Sequence, residues 1–199
     1  AKHISNAKQY NLPVVVATNK MSSDSDLEHQ VIKEESLKAG AIDAIVSNHW
    51  EEGGAGAIDL ANGIVKATQE ESSENFKFLY DTDGLTVQEK ITKIAQDMYG
   101  AKDVEFSPEA QKKIELYTKQ GFDKLPICIA KTQYSLSHDA NLKGVPTGFT
   151  FPIRDVRASI GAGYLYALAA EIQTIPGLPT LCGFMNVEVN EDGEIDGMF

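Results

Sequence analysis

Short apolar runs alternate with segments of helical period over the first two thirds of this chain, and that alternation constrains its fold most tightly. Leu12 to Ala17 (Leu-Pro-Val-Val-Val-Ala) is continuous apolar sequence rich in Val, the pattern of a short strand buried on both faces. A helix is expected from Ser25 to Ala39, stopped by Gly40, with Asp24 or Ser23 as N-cap. A strand at Ala41 to Val46 follows, then a helix from Ala57 to Thr68 with Ile58, Ala61, Ile64 and Val65 at helical spacing. Phe76 to Tyr80 reads as another strand. Thr86-Val87-Gln88-Glu89 is a capping box, and the helix it opens carries Val87, Ile91, Ile94, Ala95 and Met98 on one face and stops at Gly100. Ser107-Pro108-Glu109 opens a further helix that ends at Gly121. Leu125 to Ala130 is a fourth buried strand.

Strands alternating with helices give an α/β fold, a mostly parallel sheet flanked by helices in a Rossmann-like three-layer arrangement. After Lys131 the helix signals fade. Short strands are expected at Arg154 to Ser159, Gly163 to Ala169 and Met185 to Val189, with a turn at Asn190 to Glu194. Residues 1–130 therefore form the α/β part and 131–199 a loop- and strand-rich part of one domain. The 199 residues are 42% hydrophobic and 24% charged, enough to bury an ordinary core. A formal net charge of -11 argues against nucleic-acid binding, which needs clustered Lys and Arg. No apolar stretch approaches the roughly 20 residues that span a bilayer. Cys128 and Cys182 are isolated, without metal-ligand spacing, and suit a reducing cytoplasm. The chain opens on a helix-like segment, Lys2 to Ala7, without an initial Met, as a cut through a longer protein would.

Three loops follow strands and are candidates for chemistry. The first is Thr18-Asn19-Lys20-Met21-Ser22-Ser23-Asp24. Asn-Lys after a strand suggests base reading, but Ser22 stands where a guanine-reading carboxylate is needed; otherwise this is a turn that caps the next helix. The second is Ser47-Asn48-His49-Trp50-Glu51-Glu52-Gly53-Gly54-Ala55-Gly56, which holds the one Trp of the chain. A large ring on a polar loop is either a stacking platform or a roof over the adjacent helix. Its glycines can offer backbone N–H groups to an anion or simply cap the helix, and Glu51 and Glu52 would repel a phosphate. The third is Lys131-Thr132-Gln133-Tyr134-Ser135-Leu136-Ser137, where Lys131 can neutralise an anion and Thr132, Gln133 and Ser135 can bond a heterocycle. By the strand-end rule the third loop is expected beyond a central parallel strand, on the same sheet edge as Asn19 and Trp50. His138-Asp139 and Arg154-Asp155 read as ion pairs. No GxxxxGK[ST] phosphate cradle is present.

Taken in order, Pro13 to Asn19, Ser23-Asp24-Ser25-Asp26, His49 to Gly56, Lys131 to Ser135, Arg154-Asp155-Val156-Arg157 and Pro176-Gly177-Leu178-Pro179 closely resemble the formate–tetrahydrofolate ligases, and the final Gly-Met-Phe resembles their C-terminus. The resemblance implies an ATP-dependent enzyme that makes 10-formyltetrahydrofolate from formate and tetrahydrofolate through formyl phosphate. It implies magnesium, a monovalent cation and a tetrameric assembly for the whole enzyme, with no cofactor held tightly by this part. The phosphate-binding lysine and formyl-phosphate arginine of the family fall upstream of the matching region, so no catalytic residue and no metal ligand is expected here. The family implies that Trp50 is one wall of an aromatic slot for the folate ring. The other wall is usually Phe; here it is Met21, which can cover a ring face through dispersion and sulfur contact. Asn19, Asp24, Glu51, Gly53, Gly54, Lys131, Thr132, Gln133 and Ser135 are expected beside the nucleotide or substrate. A stand-alone folate- or nucleotide-binding regulatory module and an oligomerisation domain are the competing readings.

Overall fold

Local capping chemistry sets where the main helices begin. In the computed structural model, which describes residues 1–70, 74–172 and 180–197, helix α1 spans Lys2–Lys8. Helix α2 (Asp26–Lys38) starts at a reciprocal box between Ser25 and Glu28. Thr86 and Glu89 form the same device at α5 (Val87–Asp97), and Ser107 caps α6 (Pro108–Lys119). Each cap satisfies backbone donors that a first helical turn leaves open. The cap of α2 is thus Ser25, not Ser23 or Asp24. The Asp24 carboxylate instead accepts the Met21 N–H at 2.8 Å and lies 3.2 Å from His29 Nε2, closing the turn ahead of the helix.

The strands sort into separate sheets. β1 (Val15–Asn19) and β2 (Asp43–Ser47) pair in parallel, from Val15 opposite Asp43 to Asn19 opposite Ser47. Helices α2 and α4 (Ile58–Glu70) pack on this pair, with the one-turn α3 (His49–Glu52) between β2 and α4. The larger sheet comprises β3 (Asp103–Phe106), β4 (Ile127–Ala130), β5 (Thr150–Ser159) and β6 (Tyr164–Ala169) in the order β3-β5-β6-β4. β3 runs parallel to β5 and β4 to β6, while β5 and β6 are antiparallel. A hairpin of β7 (Glu188–Val189) and β8 (Ile195–Asp196) turns at Asn190, whose side-chain oxygen accepts the Asp192 and Glu194 amides. The fold is α/β, with parallel and mixed sheets flanked by helices. No described helix is long and apolar enough to cross a membrane.

The structure corrects several details. Phe76 to Tyr80 is not a strand. Its backbone is tied to the end of α1: Lys77 N–H donates to the Tyr10 carbonyl at 3.2 Å, and the Phe76 ring stacks on Tyr10. A strand not expected from the sequence, β3, follows α5; its Asp-Val-Glu-Phe alternation is half-buried. β1 and β4 are not buried on both faces: every residue of both is half-buried or exposed. An apolar run reports the surface a strand offers, not what covers it. Met185 to Val189 begins as a tight turn, Gly183–Asn186, before β7. Pro176-Gly177-Leu178-Pro179 and Met198-Phe199 lie outside the described residues.

The core joins Val87, Ile91 and Ala95 of α5 and Ala110 and Ile114 of α6 to Phe151, Ile153, Val156, Leu165 and Ala167 of the middle strands. Two charged groups are buried with it. Lys90 is 0% exposed; its ammonium donates to the carbonyl oxygens of Asp123 at 2.6 Å and Leu125 at 3.3 Å, and burial pulls its pKa down. Asp155 is 5% exposed and accepts from Lys113 at 2.7 Å and Arg157 Nε at 2.9 Å. Burial alone would raise its pKa; the bonds and charges of Lys113 and Arg157 outweigh that and hold the carboxyl below the usual range. The expected Arg154–Asp155 pair does not form, since neighbours on a strand point to opposite faces. Arg154 donates instead to the carbonyls of Ala170 and Ile172, both at 2.7 Å. His138 packs against Phe149 and Phe151 rather than pairing with Asp139.

Because the folded pKa of Asp155 is depressed, its stabilisation is complete above the unfolded value near 3.9 and is lost as pH falls through the folded value. Asp155→Asn is expected to cost about 1–3 kcal/mol at neutral pH and to flatten the acid limb of stability, as read by denaturant titrations at several pH values. Equal stability with an unchanged acid limb would contradict the assignment.

Candidate functional site

The parallel register of β1 and β2 brings two of the three candidate loops to one edge. Asn19 faces Ser47 at the ends of the strands, and the Lys20 N–H continues the ladder to the Ser47 carbonyl at 3.0 Å. Met21 and Trp50 therefore leave the same edge within three residues of the last pair. Both are presented to solvent, Met21 at 54% and Trp50 at 84% exposure. Trp50 stands on the single turn of α3, where sequence alone indicates an irregular loop.

That turn is rooted firmly. Ser47 is buried, with its hydroxyl 3.0 Å from His49 Nδ1 and 3.5 Å from the Gly56 carbonyl oxygen. The Asn48 N–H donates to the same carbonyl at 2.9 Å. A Cβ on Gly56 would collide with the Asn48 carbonyl, so close approach demands glycine there. Gly53, at φ 58 and ψ -140, takes a backbone conformation that strains any other residue. Asn48 also donates to Glu51 at 3.2 Å and Glu52 at 2.9 Å, which turns both carboxylates toward the root. Gly53–Ala57 is a 3-10 turn running into α4, with open space around Gly53 and Gly54. On the β1 side, hydrogen bonding from the Met21 amide and then His29 holds the half-buried Asp24 carboxyl below its ordinary pKa. Ser47 and Gly56 fall outside the sequence-derived candidates. Gly56 had a visible signal in the glycine run; Ser47, a polar residue at a strand end, had none.

Lys131, Thr132, Gln133 and Ser135 gather elsewhere. They follow β4, an outer strand of the larger sheet, so the expectation of a central strand in the same sheet as Asn19 and Trp50 is corrected. The split into two sheets is the reason. The Lys131 ammonium donates to the carbonyls of Thr132, at 2.6 Å, and Ser135 and sits 5.3 Å from the centre of the Tyr99 ring; burial lowers its pKa. Ser135 is buried and bonds Ser137 and the Leu142 carbonyl. These two residues shape the loop from within, while Gln133 is exposed. Thr132 lines an open cleft of about 430 Å³ with His138, Asp139 and Ala169 to Ile172, at the carboxyl ends of the parallel strands β4 and β6. Among the described residues no group of three or more His, Cys, Asp or Glu is placed to hold a metal ion.

Loops beyond the carboxyl ends of parallel strands are where α/β proteins hold small molecules, and both clusters are of that class. The formate–tetrahydrofolate ligase family profile matches residues 1–199, and the chain belongs to that family. It is 64% identical over 198 residues to the mitochondrial C-1-tetrahydrofolate synthase of Saccharomyces cerevisiae, covering 100% of this chain and 20% of that protein. It is 61% identical over 198 residues to the cytoplasmic C-1-tetrahydrofolate synthase of the same yeast, covering 100% and 21%. With the cytoplasmic C-1-tetrahydrofolate synthase of Homo sapiens the identity is 50% over 199 residues, covering 100% and 21%. The chain thus spans about a fifth of the length of these relatives.

Gly56→Ala is expected to cost about 1–3 kcal/mol, since backbone must shift to admit the methyl group, and to change the emission of Trp50. Wild-type Trp50 should emit as tryptophan does in water and be fully open to acrylamide quenching. A shielded, blue-shifted Trp50, or a Gly56→Ala protein of unchanged stability, would contradict the rooted, displayed turn.

Proposed function

We propose that this chain is the C-terminal domain, 1–199, of an ATP-dependent formate–tetrahydrofolate ligase, and that it supplies folate and nucleotide contacts rather than the reacting groups. The observation that carries the reading is Trp50, 84% exposed on a turn fixed at both ends. A hydrophobic ring held out in water on a rigid support loses little conformational freedom when it stacks on a flat ligand.

In this reading a formate oxygen attacks the γ-phosphorus of ATP, giving formyl phosphate and ADP. The N10 amine of tetrahydrofolate then attacks the formyl carbon, the carbon–oxygen bond to phosphate breaks, and N10 loses its proton. Trp50 and Met21 hold the pterin at the β1–β2 edge and so orient N10. Asn19, Asp24, Glu51, Gly53 and Gly54 border that edge. Lys131, Thr132, Gln133 and Ser135 form and line the nucleotide side, with Thr132 in the cleft beyond β4 and β6. Magnesium and a monovalent cation belong to the whole enzyme; the described residues of this chain offer no cluster of three or more His, Cys, Asp or Glu to hold them. The whole enzyme is a homotetramer acting on tetrahydrofolate, formate and ATP, with neither nucleic acid nor membrane as partner. A cytoplasmic location agrees with the cytoplasmic relatives.

Two outcomes are expected. The 199-residue chain alone releases no ADP in response to formate, since phosphoryl transfer rests on positioning and charge stabilisation by groups this chain lacks; formate-dependent ADP release would overturn this. In the full-length enzyme, Trp50→Ala raises the tetrahydrofolate KM about 5- to 150-fold, from a stacking contribution of about 1–3 kcal/mol, with a much smaller effect on formate. An unchanged folate KM would return Trp50 to a packing role.

A further inference from the structure

A groove of about 710 Å³ runs beside β4; it is remote from the β1–β2 edge and touches the Lys131–Ser137 loop only through Leu136 and through Tyr99, the ring beneath Lys131. Its walls include His3, Asn6 and Tyr10 from α1 and the turn after it, Ile94 and Met98 from α5, and Phe78 to Thr82. Pro126, Ile127, Cys128 and Ile129 all line it as well. Successive side chains of a strand point to opposite faces, so one cavity meets four consecutive residues only by lying along the strand's edge. β4 is an outer strand, and among the described residues it pairs with β6 alone.

The backbone of that edge is ready for pairing. Leu165 N–H donates to the Pro126 carbonyl, which directs the alternate residues Ile127 and Ile129 away from β6. The outward Ile127 N–H is taken by the Tyr80 hydroxyl at 2.9 Å. Among the described residues nothing bonds the Ile127 carbonyl or the Ile129 N–H and carbonyl, which stand beside apolar walls. Asn6 is more than nine-tenths buried in the opposite wall, and its Oδ1 has no hydrogen-bond partner.

We propose that an extended segment of the ligase polypeptide outside these 199 residues docks in this groove as a fifth strand on the free edge of β4. The inference rests on the reading of the chain as part of a larger ligase. About four fifths of each relative's length lies outside the matched region, so the ligase polypeptide has ample chain to supply such a segment. An open strand edge next to apolar surface is an association hazard that proteins cover. Strand addition supplies backbone bonds to Ile127 and Ile129 and apolar side chains for the groove.

Cys128 is exposed on this edge and reports on it. The test measures N-ethylmaleimide labelling of Cys128, located by mass spectrometry, and amide exchange at Ile129, in the 199-residue chain and in the full-length protein. Both are expected to slow at least about tenfold in the full-length protein, as a paired and covered edge requires. Cys128→Glu is expected to leave the melting temperature of the 199-residue chain unchanged and to lower that of the full-length protein. Equal labelling and exchange in the two proteins overturn the proposal. So does protection in the short chain that grows with its concentration as dimer appears, which would make a second copy the occupant. Synthesis of 10-formyltetrahydrofolate by the same full-length preparation is measured alongside. An active ligase with unprotected Cys128 defeats the strand and leaves the ligase reading standing; an inactive protein with protected Cys128 does the reverse.

Discussion

Everything proposed for the folate side depends on one parallel ladder. Asn19 opposite Ser47, extended by the Lys20–Ser47 bond, fixes where β1 and β2 stop relative to each other. A slip of one residue would reverse the faces of every side chain in one strand and break the alignment of the two loops. The ladder is short, so the loops carry their own locks. Asp24 closes the first, through the Met21 amide and His29. Ser47, Asn48 and Gly56 close the second. The result is an exposed indole on a support that does not need to reorganise when a ligand arrives.

The larger sheet answers a different demand. Its middle strands, β5 and β6, are covered by α5 and α6 and form the stable body of the chain. Buried charge there is satisfied internally: Lys90 ties α5 to the segment leading into β4, and Asp155 ties β5 to α6. Lys131 follows the same logic at the end of β4, where its ammonium holds the loop that displays Thr132 and Gln133. Lys131 and Ser135 thus shape the loop, which leaves Thr132 and Gln133 for the ligand contact proposed above.

The helices were legible because their signals are local. Capping boxes at Thr86 and stop glycines at Gly40, Gly100 and Gly121 act within a few residues, and α5 and α6 follow them closely. Strand runs were legible as strands but not as neighbours. Nothing in Val14-Val15-Val16 or Ile127-Cys128-Ile129 says which strand lies alongside, so the division into separate sheets was hidden. Phe76 to Tyr80 misled because its aromatic alternation packs on Tyr10 instead of on a sheet. Asp103 to Phe106 carries little strand signal, because two of its four residues are acidic. On the site side, the exposure of Trp50 and Met21 beside one strand edge matches the polar loops that carry them in the sequence. The roles of Lys131 and Ser135 within their loop were not legible, because a side chain bonded to its own loop looks the same in sequence as one that faces a ligand.

The central claim is that Trp50 is a platform for the pterin ring. It is tested most directly by titrating tetrahydrofolate into full-length enzyme in which any other Trp is replaced by Phe, while following Trp50 fluorescence. The account predicts saturable quenching with a midpoint near the folate KM, and loss of that binding signal when Met21 is changed to Asp. Fluorescence that ignores tetrahydrofolate in an enzyme that still turns it over would contradict the claim.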